Sequence, residues 1–238
     1  MFMTTFFKRS DFAKRMSIGV LSALLVNIVN LTPVNAQQNK LDAPWSIKLI
    51  TINAGDFKKA FINRTKTITA DTLTLIKKNG RLSLPLGNGN KVVFTDNKGI
   101  PYDEARTHHT YIGRLKSLNS YLVKQNMYEG TNYFLIKKIN GYTDTLAGLP
   151  ALSADRKIMF CTYWNPYEEH DDIAPPTQDI AVYSVSNGNI SKAYRISYSK
   201  MIITNFAWET NSSLVISYKS REEDPDNKTK YARLKLTH

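Results

Sequence analysis

Short runs in which apolar and polar residues alternate, divided by turn-forming pairs, constrain this chain more than any other feature. Trp45, Ile47 and Leu49 alternate with Ser46 and Lys48; Leu73 and Leu75 with Thr72 and Thr74; Leu82, Leu84 and Leu86 follow the same rule. Lys91-Val92-Val93-Phe94-Thr95 is a further strand-like run. A period of two puts successive side chains on opposite faces of a sheet, the signature of half-buried strands. Lys78-Asn79-Gly80 and Gly87-Asn88-Gly89-Asn90 lie between such runs and supply the backbone freedom of tight hairpins. Pro85 lacks an N–H, so its strand is expected at an edge or ends early. Gly55 to Ala70 is polar and basic and fits either a helical turn or a loose loop. No stretch after residue 36 sustains a long helical period with caps.

The second half is denser in strands. Tyr121-Leu122-Val123 leads to a turn at Glu129-Gly130. Tyr133-Phe134-Leu135-Ile136, Ile158-Met159-Phe160-Cys161 and Leu214-Val215-Ile216 are apolar at both parities. Strands of that kind belong inside a sandwich or in the middle of a propeller blade. Tyr231 to Leu236 alternates cleanly, with Ala232, Leu234 and Leu236 on one side and Arg233 and Lys235 on the other; Asp224-Pro225-Asp226-Asn227 is the expected turn before it. The expected class is all-β, built of antiparallel meanders.

A repeat runs through this half. Ile136 to Gly141 is a strand entering an Asn-Gly turn, and Val182 to Gly188 repeats it 47 residues later. Each copy precedes a further hairpin: Leu149 to Lys157 before one apolar strand, Ile203 to Ser213 before another. The segment Pro150-Ala151-Leu152-Ser153-Ala154-Asp155-Arg156-Lys157 resembles the hairpins of TolB-like and WD40-like β-propeller blades, and Phe206-Ala207-Trp208 looks like the same position in a second blade. The usual form there is Ser-Pro-Asp-Gly; this chain has Ser153-Ala154-Asp155-Arg156, without the Pro and the Gly. The resemblance covers roughly residues 119 to 238 and implies a propeller-like fold, a partial or small β-propeller, with an irregular β-sandwich as the alternative. Propellers of this type are commonly binding platforms, and the resemblance brings no catalytic residue.

Residues 1–36 read as a signal peptide. Lys8, Arg9, Lys14 and Arg15 form a basic start, Met16 to Leu31 is mostly apolar, and Val34-Asn35-Ala36 suits a signal peptidase, so cleavage is expected after Ala36. An uncleaved N-terminal anchor is the alternative, although the apolar stretch is shorter than the ~20 residues of a spanning helix. Cleavage leaves residues 37–238 as a single all-β domain, periplasmic or secreted, with no transmembrane segment. Export bears on the charge: residues 37–238 keep 28 basic and 19 acidic residues, a formal +9, with the excess around Lys58-Lys59, Arg64, Lys66, Lys77-Lys78 and Arg81. A basic surface favours anionic partners. Outside the cell nucleic acid is excluded, leaving an envelope protein or an anionic glycan. Cys161 is the single cysteine and stands in an apolar run, so the fold has no internal disulfide and depends on its core. The residue directly after Ala36 is Gln37 and not Cys, so the chain is not expected to be a lipoprotein.

Catalytic motifs are missing. There is no Gly-x-Ser-x-Gly elbow, His-Glu-x-x-His or phosphate-cradling loop, and no cofactor or metal is assigned. His108-His109 would face opposite ways on a strand, and a surface or loop role is expected for both. Glu168, Glu169, His170, Asp171 and Asp172 form the densest polar cluster, but at no known metal spacing. Trp164 and Tyr167 open that loop, which ends at Pro175-Pro176. Aromatic rings beside carboxylates and amides are how many proteins grip sugars, so these seven residues are the expected contact surface. Trp208 is expected in the core. The reading is a non-enzymatic, exported binding or interaction module; the alternatives are a hydrolase of envelope or extracellular polysaccharide and a structural subunit of an envelope assembly.

Overall fold

The computed structural model describes residues 45–64, 66–69, 77–100, 104–128, 130–167, 173–199, 201–220 and 228–237. The expected signal segment, the Leu73/Leu75 run and the Asp224 to Asn227 turn lie outside the described residues. In chain order the elements are β1 (Ser46–Thr51), α1 (Ala54–Ile62), β2 (Ile68–Thr69), β3 (Arg81–Pro85), β4 (Lys91–Thr95) and β5 (His108–Leu115). After a 3₁₀ turn (Lys116–Leu118) come β6 (Ser120–Asn126), β7 (Thr131–Lys137), β8 (Thr143–Leu146), β9 (Ala151–Leu152) and β10 (Ile158–Asn165). The last five are β11 (Thr177–Ser186), β12 (Asn189–Tyr198), β13 (Met201–Trp208), β14 (Ser213–Ser220) and β15 (Thr229–Thr237). The fold is mostly β, and every strand pairing is antiparallel.

Among the described residues the strands form three larger sheets and one hairpin. The first sheet has the order β2-β5-β6-β7-β8, the second β12-β11-β10-β9 and the third β1-β15-β14-β13, while β3-β4 stands apart. The 47-residue repeat is one such meander: Asn140-Gly141 joins β7 to β8 and Asn187-Gly188 joins β11 to β12, in both cases the last two strands of the sheet in chain order. Asn187 (φ 49°) and Gly188 (φ 71°) both take the positive φ that a two-residue hairpin turn requires. The third sheet combines both ends of the described chain, with Ser46 to Thr51 running antiparallel to Thr237 to Ala232.

Alternating side chains from each sheet enter different cores. Tyr121, Val123 and Ile136 pack against Leu82 and Leu84 of the β3-β4 hairpin. Leu122 and Leu135, at the other parity, meet Leu152, Met159 and Cys161 of the second sheet. Phe160, Ile180 and Val182 then face Leu214, Ile216, Leu234 and Trp45 of the third. On its far side, Ala207 and Val215 receive Phe57 of α1. Hairpin, three sheets and helix are thus stacked in sequence, and strands apolar on both faces are the ones covered on both faces.

The open choice over Gly55 to Ala70 resolves into a helix over Ala54–Ile62. Asn53 caps it, its side chain accepting the Asp56 N–H at 2.9 Å. Phe57, Ala60 and Phe61, spaced i, i+3 and i+4, form its apolar stripe, and the Phe57 ring lies 5.2 Å from that of Tyr231. β3 ends at Pro85, in agreement with the edge expected there. The Ser153–Lys157 turn is tied by Asp155, whose Oδ1 accepts the Ser153 hydroxyl (2.6 Å) and the Lys157 N–H (3.2 Å). Arg156 takes φ 62° in it, at the place where the resembled blades carry Gly.

The link from the first sheet to the second runs against β10 at Gly148, where a Cβ would lie 2.2 Å from the Thr162 carbonyl oxygen. Gly148→Ala is therefore expected to cost about 2–3 kcal/mol in denaturant unfolding, in the range of overpacked cores. Gly188→Ala, with open space around it but positive φ, should cost only about 1 kcal/mol. Equal small losses at the two positions would contradict this sheet-to-sheet contact.

Candidate functional site

The stacking of twisted sheets leaves a cleft where the strand ends of the first two diverge. It has a volume of about 500 Å³, within the ~300–1,000 Å³ of small-ligand sites. One wall is the β6–β7 turn and the strands after it, with Met127, Tyr128, Asn132 and Thr145. The other is the end of β10 and its neighbours, with Tyr163, Asn165, Tyr167, Asp179 and Arg195. Tyr163 and Asn165 are spaced by two on β10, so its pleat delivers both to this wall, and Tyr167 joins them from the bend that follows the strand. Gly130 faces Tyr163 across the cleft: a Cβ there would make an ordinary contact, 3.4 Å from the Tyr163 hydroxyl.

The cleft is charge-balanced, with Lys192 and Arg195 set against Asp179 and Glu104. Arg195 Nη2 donates to Asp179 Oδ2 at 3.3 Å, and the Thr177 hydroxyl donates to Asp179 Oδ1 at 2.8 Å. Asp179 is only 4% exposed, so these donors hold a buried carboxylate that would otherwise be costly. Tyr183 accepts the Ala147 N–H at 3.2 Å, tying β11 to the first sheet. Burial pushes its hydroxyl up to about 12, which keeps it neutral. The Asn132 amide donates to Gln125 Oε1 at 3.2 Å, and Asn165 Oδ1 accepts the Tyr167 N–H at 3.3 Å. Met127, Tyr128 and Tyr167 remain exposed at the rim.

Of the contact residues expected from sequence, Tyr167 lines this cleft. Trp164 is half-buried on β10, opposite Gln178, and does not line it. Glu168, Glu169, His170, Asp171 and Asp172 lie outside the described residues. Sequence reasoning missed Tyr163, Asn132, Asp179 and Arg195. Tyr163-x-Asn165-x-Tyr167 carried a usable signal, because polar and aromatic residues keep period two where an apolar strand ends. Trp208, expected in the core, is half-buried at the sheet edge, and its Nε1 donates to the Ala151 carbonyl at 3.1 Å, joining the third sheet to the second. Cys161 is fully buried, and burial pushes its thiol upward. Among the described residues no group of three or more His, Cys, Asp or Glu is placed to hold a metal ion, and no helix is long and apolar enough to cross a membrane.

His108 keeps the surface role expected of both histidines, and His109 departs from it. They open β5, and the pleat turns His108 outward and His109 inward to 5% exposure. Both rings still approach one group: Asp96 Oδ2 is 3.8 Å from His108 Nε2, and Asp96 Oδ1 is 3.3 Å from His109 Nδ1. No bulge is needed, because Asp96 follows the adjacent strand β4 and reaches the sheet edge with two oxygens. Gln125 Nε2 donates to His109 Nε2 at 3.0 Å, which leaves the ring proton on Nδ1, directed at Asp96. Asp96 Oδ1 also accepts the His109 backbone N–H at 2.9 Å, and Lys77 is paired with Asp96 Oδ2. This arrangement pins the β3-β4 hairpin to the first sheet.

Compared with models of protein families, with curated proteins and with solved structures, the chain matches none of them.

The Asp96 group makes stability pH-dependent. Burial lowers His109 below its ordinary 6.5, more than the neighbouring Asp96 raises it. Burial would raise Asp96, but the bonds from Lys77 and the His109 N–H outweigh it and hold the carboxyl below 3.8. In both cases the unfolded chain takes up the proton first. Their contribution is therefore complete above pH 6.5 and is lost on acidification, first through His109 and then, below pH 3.8, through Asp96. The urea midpoint should fall between about pH 7 and pH 5, and fall less in His109→Gln. A midpoint that rises on acidification, or an unaltered slope in the variant, would contradict this assignment.

Proposed function

We propose that the chain is an exported binding module that holds a saccharide in the cleft between its first two sheets. The observation that carries this reading is the set of three tyrosines, Tyr128, Tyr163 and Tyr167, placed around a charge-balanced cleft with the Asn132 and Asn165 amides. Tyrosine rings offer apolar faces to the C–H side of a sugar ring, while amides and the Asp179–Arg195 pair exchange hydrogen bonds with its hydroxyls. Equal numbers of positive and negative groups favour a neutral sugar at this position over a strongly anionic one. Export is supported by the basic and apolar leader. The four-stranded meanders, stacked face to face, support reading the fold as a partial β-propeller, an architecture whose strand-end clefts suit ligands.

A second reading, a hydrolase of the same class of polymer, is supported by two carboxylates, Glu104 and Asp179, on one cleft. Against it, both oxygens of Asp179 are engaged, one by Thr177 and one by Arg195. Incubation with a bound polysaccharide separates the readings: a binding module returns the chain at its original length, whereas a hydrolase shortens it and loses that activity in Glu104→Gln.

Binding to a panel of neutral and acidic oligosaccharides, followed by calorimetry on the best of them, tests the proposal. Tyr163→Ala and Tyr167→Ala should each weaken binding about tenfold, or ~1.4 kcal/mol. Tyr142→Ala, exposed on the β7–β8 turn and outside the cleft, should leave it unchanged. No saccharide binding, or equal losses in all three variants, would overturn it.

A further inference from the structure

At the other end of the same strands, three separate segments bring cations to one small depression. Lys66 and Thr67 come from the segment before β2, with Thr69 on β2 itself; Lys116 and Ser117 come from the 3₁₀ turn, and Arg156 from the β9–β10 turn. The depression has a volume of about 130 Å³, and among the described residues its lining holds three positive residues, three hydroxyl residues and no carboxylate. We propose that it binds a tetrahedral oxyanion, the phosphate or sulfate group of a small ligand. This inference is independent of the saccharide reading of the larger cleft.

Electrostatics and backbone geometry both support it. Three like charges around one depression repel each other, and a dianion at their centre relieves the repulsion while gaining three attractions. Hydroxyls at Thr67, Thr69 and Ser117 match the remaining oxygens. That of Thr67 accepts the Leu152 N–H at 3.5 Å and so keeps its own proton to donate. Arg156 supplies the independent observation. Its φ of 62° lies in the left-handed region, where a side chain is strained and glycine is not. The turn is held by Ser153 and Asp155 whatever residue stands at 156. An arginine held at positive φ, where glycine would be unstrained, and lining a cationic depression fits strain present for function. The size suits one tetrahedral group, and the polar lining excludes an apolar one.

The test titrates the protein with inorganic phosphate, and separately with glucose 6-phosphate, at ionic strength held constant with chloride. Saturable binding that weakens as chloride rises is expected, with amide shifts at Lys66, Ser117 and Arg156. Tighter binding of the ester than of the free ion would identify a phosphorylated sugar as the source; equal affinity would identify the free ion. Arg156→Gly should weaken binding at least fivefold without lowering the melting temperature, Lys116→Gln should weaken it similarly, and Arg156→Lys should retain most of it. Binding no stronger than that of chloride, or full binding in Arg156→Gly, would overturn the proposal.

Discussion

Burial of both faces of β6, β10, β11 and β14 is the constraint on which the rest of this structure depends. Tyr121, Leu122 and Val123 are successive residues of β6, and all three are buried. The same holds for Phe160 and Cys161 on β10 and for Leu214, Val215 and Ile216 on β14. A sheet with such strands cannot leave one face in water, because each large apolar side chain exposed would forgo ~1.5–3 kcal/mol. The sheets therefore cover one another. The two outermost faces, which no sheet covers in the stack, are closed by the β3-β4 hairpin at Leu82 and Leu84 and by α1 at Phe57. With that core no disulfide is required, and Cys161 serves as a small apolar side chain.

The strands were legible because their signals are local. Period-two alternation and Asn-Gly turns are read within a few residues, and the clean parity of Ala232, Leu234 and Leu236 reappears as three buried residues beside the exposed Lys235. The helix was harder: Ala54–Ile62 is short, and its stripe of Phe57, Ala60 and Phe61 is interrupted by Lys58 and Lys59. Partnerships across the chain were not legible at all. Nothing local tells that Ser46 to Thr51 will pair with the last strand, or that Asp96 will collect Lys77, His108 and His109. The cleft is hidden for the same reason. Asp179 and Arg195 are 16 residues apart, and each looks like an isolated polar interruption of a strand until the sheet pairs them.

Stacking also separates two kinds of chemistry. Strand ends are where the covering fails, so polar groups collect at the two ends of the meanders rather than on their faces. One end holds tyrosines, amides and a compensated ion pair; the other holds Lys66, Lys116 and Arg156, with no carboxylate among the described residues of the lining. A ligand with a neutral polyhydroxylated body suits the first, and a compact oxyanion suits the second. The basic excess read from the first half of the sequence is therefore only partly diffuse surface charge, since Lys66 and Lys116 converge on one point and Lys77 is consumed by Asp96.

Hydrogen–deuterium exchange of the protein with and without a bound oligosaccharide tests the central claim most directly. A saccharide held in the cleft should slow exchange at Met127, Tyr128, Thr131, Asn132, Tyr163, Asn165 and Tyr167, which line its two walls, and leave α1 and the β3-β4 hairpin unchanged. Protection that maps to the helix or the hairpin, with the two walls unaffected, would contradict it.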